Sequence, residues 1–275
     1  MSSFPIVDAH HHIWDTQRNY HPWLRDEPPI AFRYGDYRAI RGNYMPADYR
    51  RDTANFTVVK SVYVEAEWDH HDPIGETRWV HEVADAQGLP TAIVAQAWLD
   101  RADVSEILAK QSAFPRVRSV RHKPQSLPHA GAKRGQPGSM DCPIWRAGYA
   151  LLGRHGLHFD LQTNWWHFDA AAELARDFPK TTIIVNHTGL PSDRSADGLA
   201  GWRAAMAHLA KESNVMLKIS GIGVPGQPWT PALNGGVVRD AIGIFGVDRC
   251  MFASNFPVDS LVGTFDQIFS GFLEI

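Results

Sequence analysis

The chain has 275 residues, 44% of them hydrophobic and 21% charged, with a formal net charge of -3 and a pI near 6.5. That balance is ordinary for a globular enzyme and lacks the basic excess that nucleic acid or an anionic membrane surface would demand, so a small molecule is the expected partner. No run of about 18 apolar residues occurs and no charged-then-apolar leader opens the chain, so cytoplasmic residence is the expectation. A homo-oligomer is compatible with this reading, and nothing in the sequence counts subunits. Cys142 and Cys250 have no CxxC spacing and read as inert buried thiols. Fourteen His and ten Trp exceed average use and suggest an aromatic-rich ligand site.

In chain order, Val7 to Trp14 opens with a buried strand that carries His10, His11 and His12. Side chains two apart on a strand share a face, so His10 and His12 project together and His11 projects toward the outer layer. Asp15 to Asn43 is aperiodic and too long for a simple connection, which marks a functional loop or small cap. A helix starts at Pro46, and Val58 to Glu65 is a β-branched strand. Regular alternation follows. Helices are expected from Asp72 to Gln87, Val104 to Ser112, Pro143 to His155, Ala170 to Asp177, Leu199 to Lys211, Gly236 to Phe245 and from Gly263 onward. Strands are expected at Thr91–Ala97, Val117–His122, Leu157–Leu161, Thr181–Asn186, Val215–Ile219 and Arg249–Ala253. Between the fourth strand and its helix lies a Gly/Pro-rich loop, Lys123 to Ser139.

Eight strands alternating with helices over residues 1–275, with no linker, predict one (β/α)8 TIM barrel with a long loop after strand one and a short or truncated final helix. An open doubly wound sheet would need a Gly-rich turn after strand one, where this chain has histidines. In such barrels the chemistry lies at the C-terminal strand ends. Those ends here carry His10 and His12, Glu65, Gln96 with Trp98, Arg121 with His122, Gln162, His187, Lys218, and Asn255 with Asp259. They would form a polar ring around one pocket.

Asp8-Ala9-His10-His11-His12, Arg121-His122, Asn186-His187-Thr188-Gly189-Leu190-Pro191 and Lys218-Ile219-Ser220-Gly221 together resemble the amidohydrolase superfamily. The resemblance is to its branch of sugar lactonases and 2-pyrone-4,6-dicarboxylate lactonase, and it runs in order over nearly the whole chain. It implies a barrel hydrolase that opens a small carboxylated or polyhydroxylated lactone, with His10, His12 and His187 around the reaction centre. It also implies that these three histidines are the ligands if one divalent ion, zinc by preference, is bound; metal-independent turnover is the alternative. The chain departs from the pattern after strand eight. Relatives have Gly-Ser-Asp-Trp-Pro there, and this chain has Ala253-Ser254-Asn255-Phe256-Pro257. A neutral amide neither takes a proton from water nor binds a hard cation as a carboxylate does.

Under this reading His10, His12, His187, Asn255, Asp259 and Lys218 are the catalytic set, with Asp259 or Glu65 as the carboxylate available to activate water. Glu65, Arg121, His122, Gln162 and Trp98 are the substrate-binding set, and Arg121 offers a planar fork for a carboxylate. Lys218 in a buried strand must be paired or functional, and an ion pair with Glu65 or Asp259 is its structural alternative. Lys133 and Arg134 could close over an anionic substrate, and Trp165, Trp166 and Trp98 could floor the pocket. Two other functions are carried as alternatives. One is a metal-dependent decarboxylase or hydratase of an aromatic or unsaturated acid; the other is a degenerate barrel that binds a small acid without turnover.

Overall fold

Asp8 shows how the barrel closes on itself. Its carboxylate accepts the Ser254 N–H at 2.8 Å, the Ser254 hydroxyl at 2.6 Å and the Tyr49 hydroxyl at 2.8 Å, joining the first strand to the last. Backbone bonds from Asn255 N–H to the His10 carbonyl (2.8 Å) and from His12 N–H to the Phe256 carbonyl (2.7 Å) complete the ring. The computed structural model describes residues 4–129 and 131–275. Its strands are β1 (Pro5–His11), β2 (Thr57–Val64), β3 (Ala92–Gln96), β4 (Val117–Arg121), β5 (His158–Leu161), β6 (Ile183–Val185), β7 (Val215–Ile219) and β8 (Cys250–Phe252). They lie in sequence order in one eight-stranded sheet, each parallel to the next. The fold is the (β/α)8 barrel.

Around the strands run α1 (Pro22–Arg25), α2 (Pro46–Asp52), α3 (Gly75–Gln87), α4 (Val104–Ser112), α5 (Pro143–Tyr149), α6 (Phe168–Asp177), α7 (Ala196–Leu209), α8 (Pro231–Phe245) and α9 (Phe265–Glu274). Several ends differ from the sequence expectation for local reasons. α8 begins five residues early because Thr230 caps it, accepting from Leu233 N–H at 3.2 Å, and Pro231 suits the first turn. α7 begins three residues early on Ser195, which accepts from Gly198 N–H at 3.1 Å. α3 begins late because Asp72 turns back over Gly75, where an added Cβ would lie 2.0 Å from the Asp72 carboxylate. The expected helix 143–155 breaks into α5 and a 3-10 turn at Leu152–His155. α9, ten residues long and capped by Thr264, buries Phe265, Ile268, Phe269 and Phe272; each fully buried side chain of this size stabilises by about 1.5–3 kcal/mol.

The long segment after β1 is a cap. Trp14 and Tyr44 pair their backbones at its base, and the Trp23 indole donates to the Ala66 carbonyl at 2.9 Å. Inside it Trp23 stacks on Phe32 at 5.7 Å and packs on Tyr37 at 5.6 Å. Aromatic packing, not secondary structure, gives this segment its shape. Among the described residues no helix is long and apolar enough to cross a membrane. Cys142 and Cys250 are free and only half-buried. In the 123–139 loop, Arg134 is held by Asp141 and Glu173 instead of facing the barrel mouth; Ala130 of that loop lies outside the described residues.

Candidate active site

The alternation of β1 sends His10 and His12 inward, with their Nε2 atoms 3.3 Å apart. His11 faces the helix layer and packs against the Tyr49 ring at 4.5 Å, tilted by 32°. A carbonyl can only accept, so the His12 Nδ1 at 2.7 Å from the Val64 carbonyl carries the proton and His12 Nε2 carries the lone pair. His187 follows β6 on left-handed backbone (φ 53), lies 4.6 Å from the His10 ring and holds its Nδ1 3.0 Å from the Ser220 hydroxyl. Burial first, then neighbouring cations and histidines, pushes His10, His12 and His187 well below 6.5, so all three are neutral imidazoles at neutral pH.

Gly221 makes room for this arrangement. Its φ is +59, and an added Cβ would lie 2.5 Å from His187 Nδ1 and 2.9 Å from an Arg33 nitrogen. Gly221→Ala should therefore displace His187 and strain the turn by about 1–3 kcal/mol. A loss of a few degrees in Tm with at least a tenfold fall in kcat/KM is expected; an unchanged enzyme would show that the turn tolerates the methyl group.

Above the histidines opens a cavity of about 250 Å³, lined by His12, His187, Asn255, Arg33, Arg121 and Lys123 among others. The left-handed strand-end residues Glu67, His187 and Asn255 (φ 53 to 55) all line it, which marks the mouth as the place where backbone strain is stored. Arg121 donates through Nε to Glu65 at 2.5 Å and through Nη1 to Gln162 at 2.9 Å. Lys123 pairs with Glu67. Asn255 donates from Nδ2 to Asp259 at 2.6 Å, and its Oδ1 has no partner among the described residues. Arg33, Arg121 and Lys123 on the lining are each paired with a carboxylate (Asp259, Glu65 and Glu67), and it is their remaining N–H groups that can meet an anion or a developing oxyanion.

Two expected site groups lie behind this wall. Lys218 is 2% exposed and pairs with Asp160 at 2.5 Å, not with Glu65 or Asp259. The partner differs because β5 and β7 both turn these side chains into the barrel, where Asn186 also donates to Asp160 at 2.8 Å. Asp259, 1% exposed, accepts from Asn255, from the Tyr34 hydroxyl at 3.0 Å and from Gly221 N–H at 3.1 Å, with Arg33 at 3.4 Å. Burial raises its pKa against the pull of Arg33. Both sit where they would position other groups, and neither lines the cavity.

Trp98 and His122 belong to a second, larger bay of about 540 Å³ that shares Arg121, Glu67 and Lys123 with the first and also includes Glu65. His122 Nδ1 accepts from Leu99 N–H at 3.1 Å and from the Trp145 indole at 3.0 Å. Its proton is thereby placed on Nε2, and burial lowers its pKa to about 4. Trp98 stands edge-on to His70 at 3.7 Å. Trp165 and Trp166 do not line either bay; Trp23 of the cap lines both. Nothing in local sequence marks Arg33, Tyr34 or Trp23 as site residues beyond the length and aromatic content of their loop.

The histidine pair suits a small divalent ion as a donor set. Zinc bound at about 2.0–2.1 Å to two nitrogens in a tetrahedron sets them about 3.3–3.4 Å apart, which the His10–His12 pair matches. The His12–Val64 bond is the kind of outer support such ligands use. Among the described residues, no third His, Cys, Asp or Glu joins them in a metal-holding group.

The amidohydrolase family model matches residues 7–273. The chain is a member of the amidohydrolase family. The uncharacterized protein y4mH of Sinorhizobium fredii is 42% identical to it over all of this chain and 92% of its own length. An L-fucono-1,5-lactonase of Burkholderia ambifaria is 27% identical over 94% of this chain and 82% of its own length. Among solved structures, an amidohydrolase from Burkholderia multivorans with bound zinc superposes with a TM-score of 0.77 at 20% identity, covering 98% of this chain and 91% of that one. This amidohydrolase therefore has lactonase relatives and a zinc-bearing structural neighbour, and its own strand-eight residue is Asn255.

Proposed function

We propose that this amidohydrolase opens a small lactone, carboxylated or polyhydroxylated, to its hydroxy acid. The observation that carries the reading is the cavity itself: neutral His187 and Asn255 on its floor face Arg33, Arg121 and Lys123 on its wall. Asn255 Nδ2 is committed to Asp259, so its Oδ1 is the atom left to orient a water. With Nδ1–H donated to Ser220, His187 Nε2 takes one proton from that water as its oxygen bonds to the lactone carbonyl carbon. Arg121 and Lys123 stabilise the oxyanion. The ring C–O bond then breaks, and the imidazolium returns its proton to the departing alkoxide. Asp259 acts through Asn255, and Lys218 acts as a buried cation that helps to keep His10 neutral. A divalent ion, where bound, would be held by His10 and His12 and would supply Lewis-acid polarisation.

The test is acid release, followed with a pH indicator, over a panel of aldono-1,4- and 1,5-lactones and carboxylated lactones, with carbon dioxide release from aromatic acids measured in parallel. Lactone turnover is expected, and His187→Ala should lower kcat about 10²–10⁴-fold. Full activity in that variant would remove His187 from the mechanism. Carbon dioxide release without ester hydrolysis would replace the reaction class, and binding without either would favour a degenerate barrel.

A further inference from the structure

Next to the reaction cavity, on the far side of Arg33, lies a smaller one of about 140 Å³ bounded by Arg33, Tyr34, Asn164, Ser192, Arg194 and Ile222. Arg33 lines both cavities. Arg194 is the unusual member. It precedes Ser195, the cap of α7, and turns inward while its neighbour Asp193 turns to the Ser195 N–H at 2.9 Å. The Arg194 guanidinium donates from Nη2 to the Ile222 carbonyl at 2.6 Å and to Asn234 Oδ1 at 3.3 Å. Its Nε is buried without a partner, and among the described residues no carboxylate lies within ion-pair distance. Every hydrogen-bond partner it has is neutral. Burial weakens its hold on the proton, but a guanidinium remains charged at any ordinary pH. A half-buried cation without a counter-ion is costly unless an anion completes it.

Arg33 is partly committed, since it lies 3.4 Å from Asp259 and 4.7 Å over the Tyr34 ring. Arg194 has no such partner, so it is the group with charge to spare. We infer that this cavity is an anion subsite in which Arg194, beside Arg33, receives a carboxylate on an arm of the substrate remote from the ester. The inference rests on the lactonase reading for the identity of the arm, and on geometry alone for the anion. It makes Arg194 a specificity residue: it selects lactones that carry a second, anionic group, and it takes no part in the chemistry.

Two measurements test it on the full-length protein. Titration calorimetry with succinate should show a Kd raised about tenfold or more in Arg194→Met and partly restored in Arg194→Lys. Steady-state kinetics should show KM for a carboxylated lactone raised at least tenfold in Arg194→Met, with kcat within about twofold and a neutral lactone unaffected. Unchanged succinate affinity in Arg194→Met overturns the anion subsite. Weakened succinate binding with an unchanged KM for the carboxylated lactone assigns the pocket to a separate small anion and overturns the substrate-arm assignment. Weakened succinate binding in a protein that turns over no lactone supports the subsite while the lactonase reading fails.

Discussion

Lowering the pH from 6.5 to 5.5 should cost this fold about 3–4 kcal/mol. Five histidines, His10, His12, His187, His21 and His122, carry the largest downward shifts, with His21 and His122 falling to about 4; His11 and His167, also buried, are lowered less. Across that pH window the unfolded chain takes up protons on them and the folded chain does not. Stability therefore falls as pH falls, beginning at 6.5 and ending only at the folded pKa values. Each contributes about 1 kcal/mol over the window, from the unfolded pKa of about 6.5. Glu76 works in the opposite direction. Burial raises it to about 8, so between pH 8 and 4.5 the folded state holds the extra proton and gains about 1.4 kcal/mol per unit as pH drops. Asp259, also raised by burial, adds to this offset. Urea midpoints at pH 7.5, 6.5 and 5.5 would measure the balance, and Glu76→Gln should steepen the loss. A midpoint that holds or rises down to pH 5.5 would mean that the histidines are not buried neutral. Against a typical total of 5–15 kcal/mol, the predicted loss is large.

The second large effect is expected at Lys218. Its replacement by Met leaves Asp160, fully buried, as an unpaired carboxylate, which should cost about 3–5 kcal/mol and lower Tm by roughly 6–20 °C. Replacing both partners, as Lys218→Met with Asp160→Leu, removes both charges and should recover most of that stability. The double variant also separates structure from chemistry. Lys218 lies beneath His10 and does not line the cavity, so the refolded double variant should keep lactone kcat within about tenfold. A folded double variant that has lost activity by a thousandfold or more would place Lys218 in contact with substrate.

Much of the site was legible because it follows from strand periodicity. His10, His12, Arg121 and His187 are strand-end residues, and alternation alone decides that His10 and His12 share a face while His11 does not. Trp98 and His122 line a second bay at the mouth, beside the reaction cavity and sharing Arg121 with it. Asp259 and Glu65 were candidates to activate water on their chemistry alone. The structure surrounds Asp259 with donors and pairs Glu65 with Arg121.

The sequence by itself determined the eight-fold βα alternation, the inward histidine pair and the neutral amide at Asn255, since each depends on local period or on residue chemistry at one position. Only the tertiary structure decided which charges meet. Arg121 and Glu65 lie 56 positions apart in the chain, Lys218 and Asp160 lie 58 apart, and Arg33 and Asp259 lie 226 apart. Such pairings are set by where strand ends and the cap converge in space, and nothing in local sequence encodes that distance. The unpaired Arg194 is of the same kind, because a missing partner shows only after every neighbour has been placed.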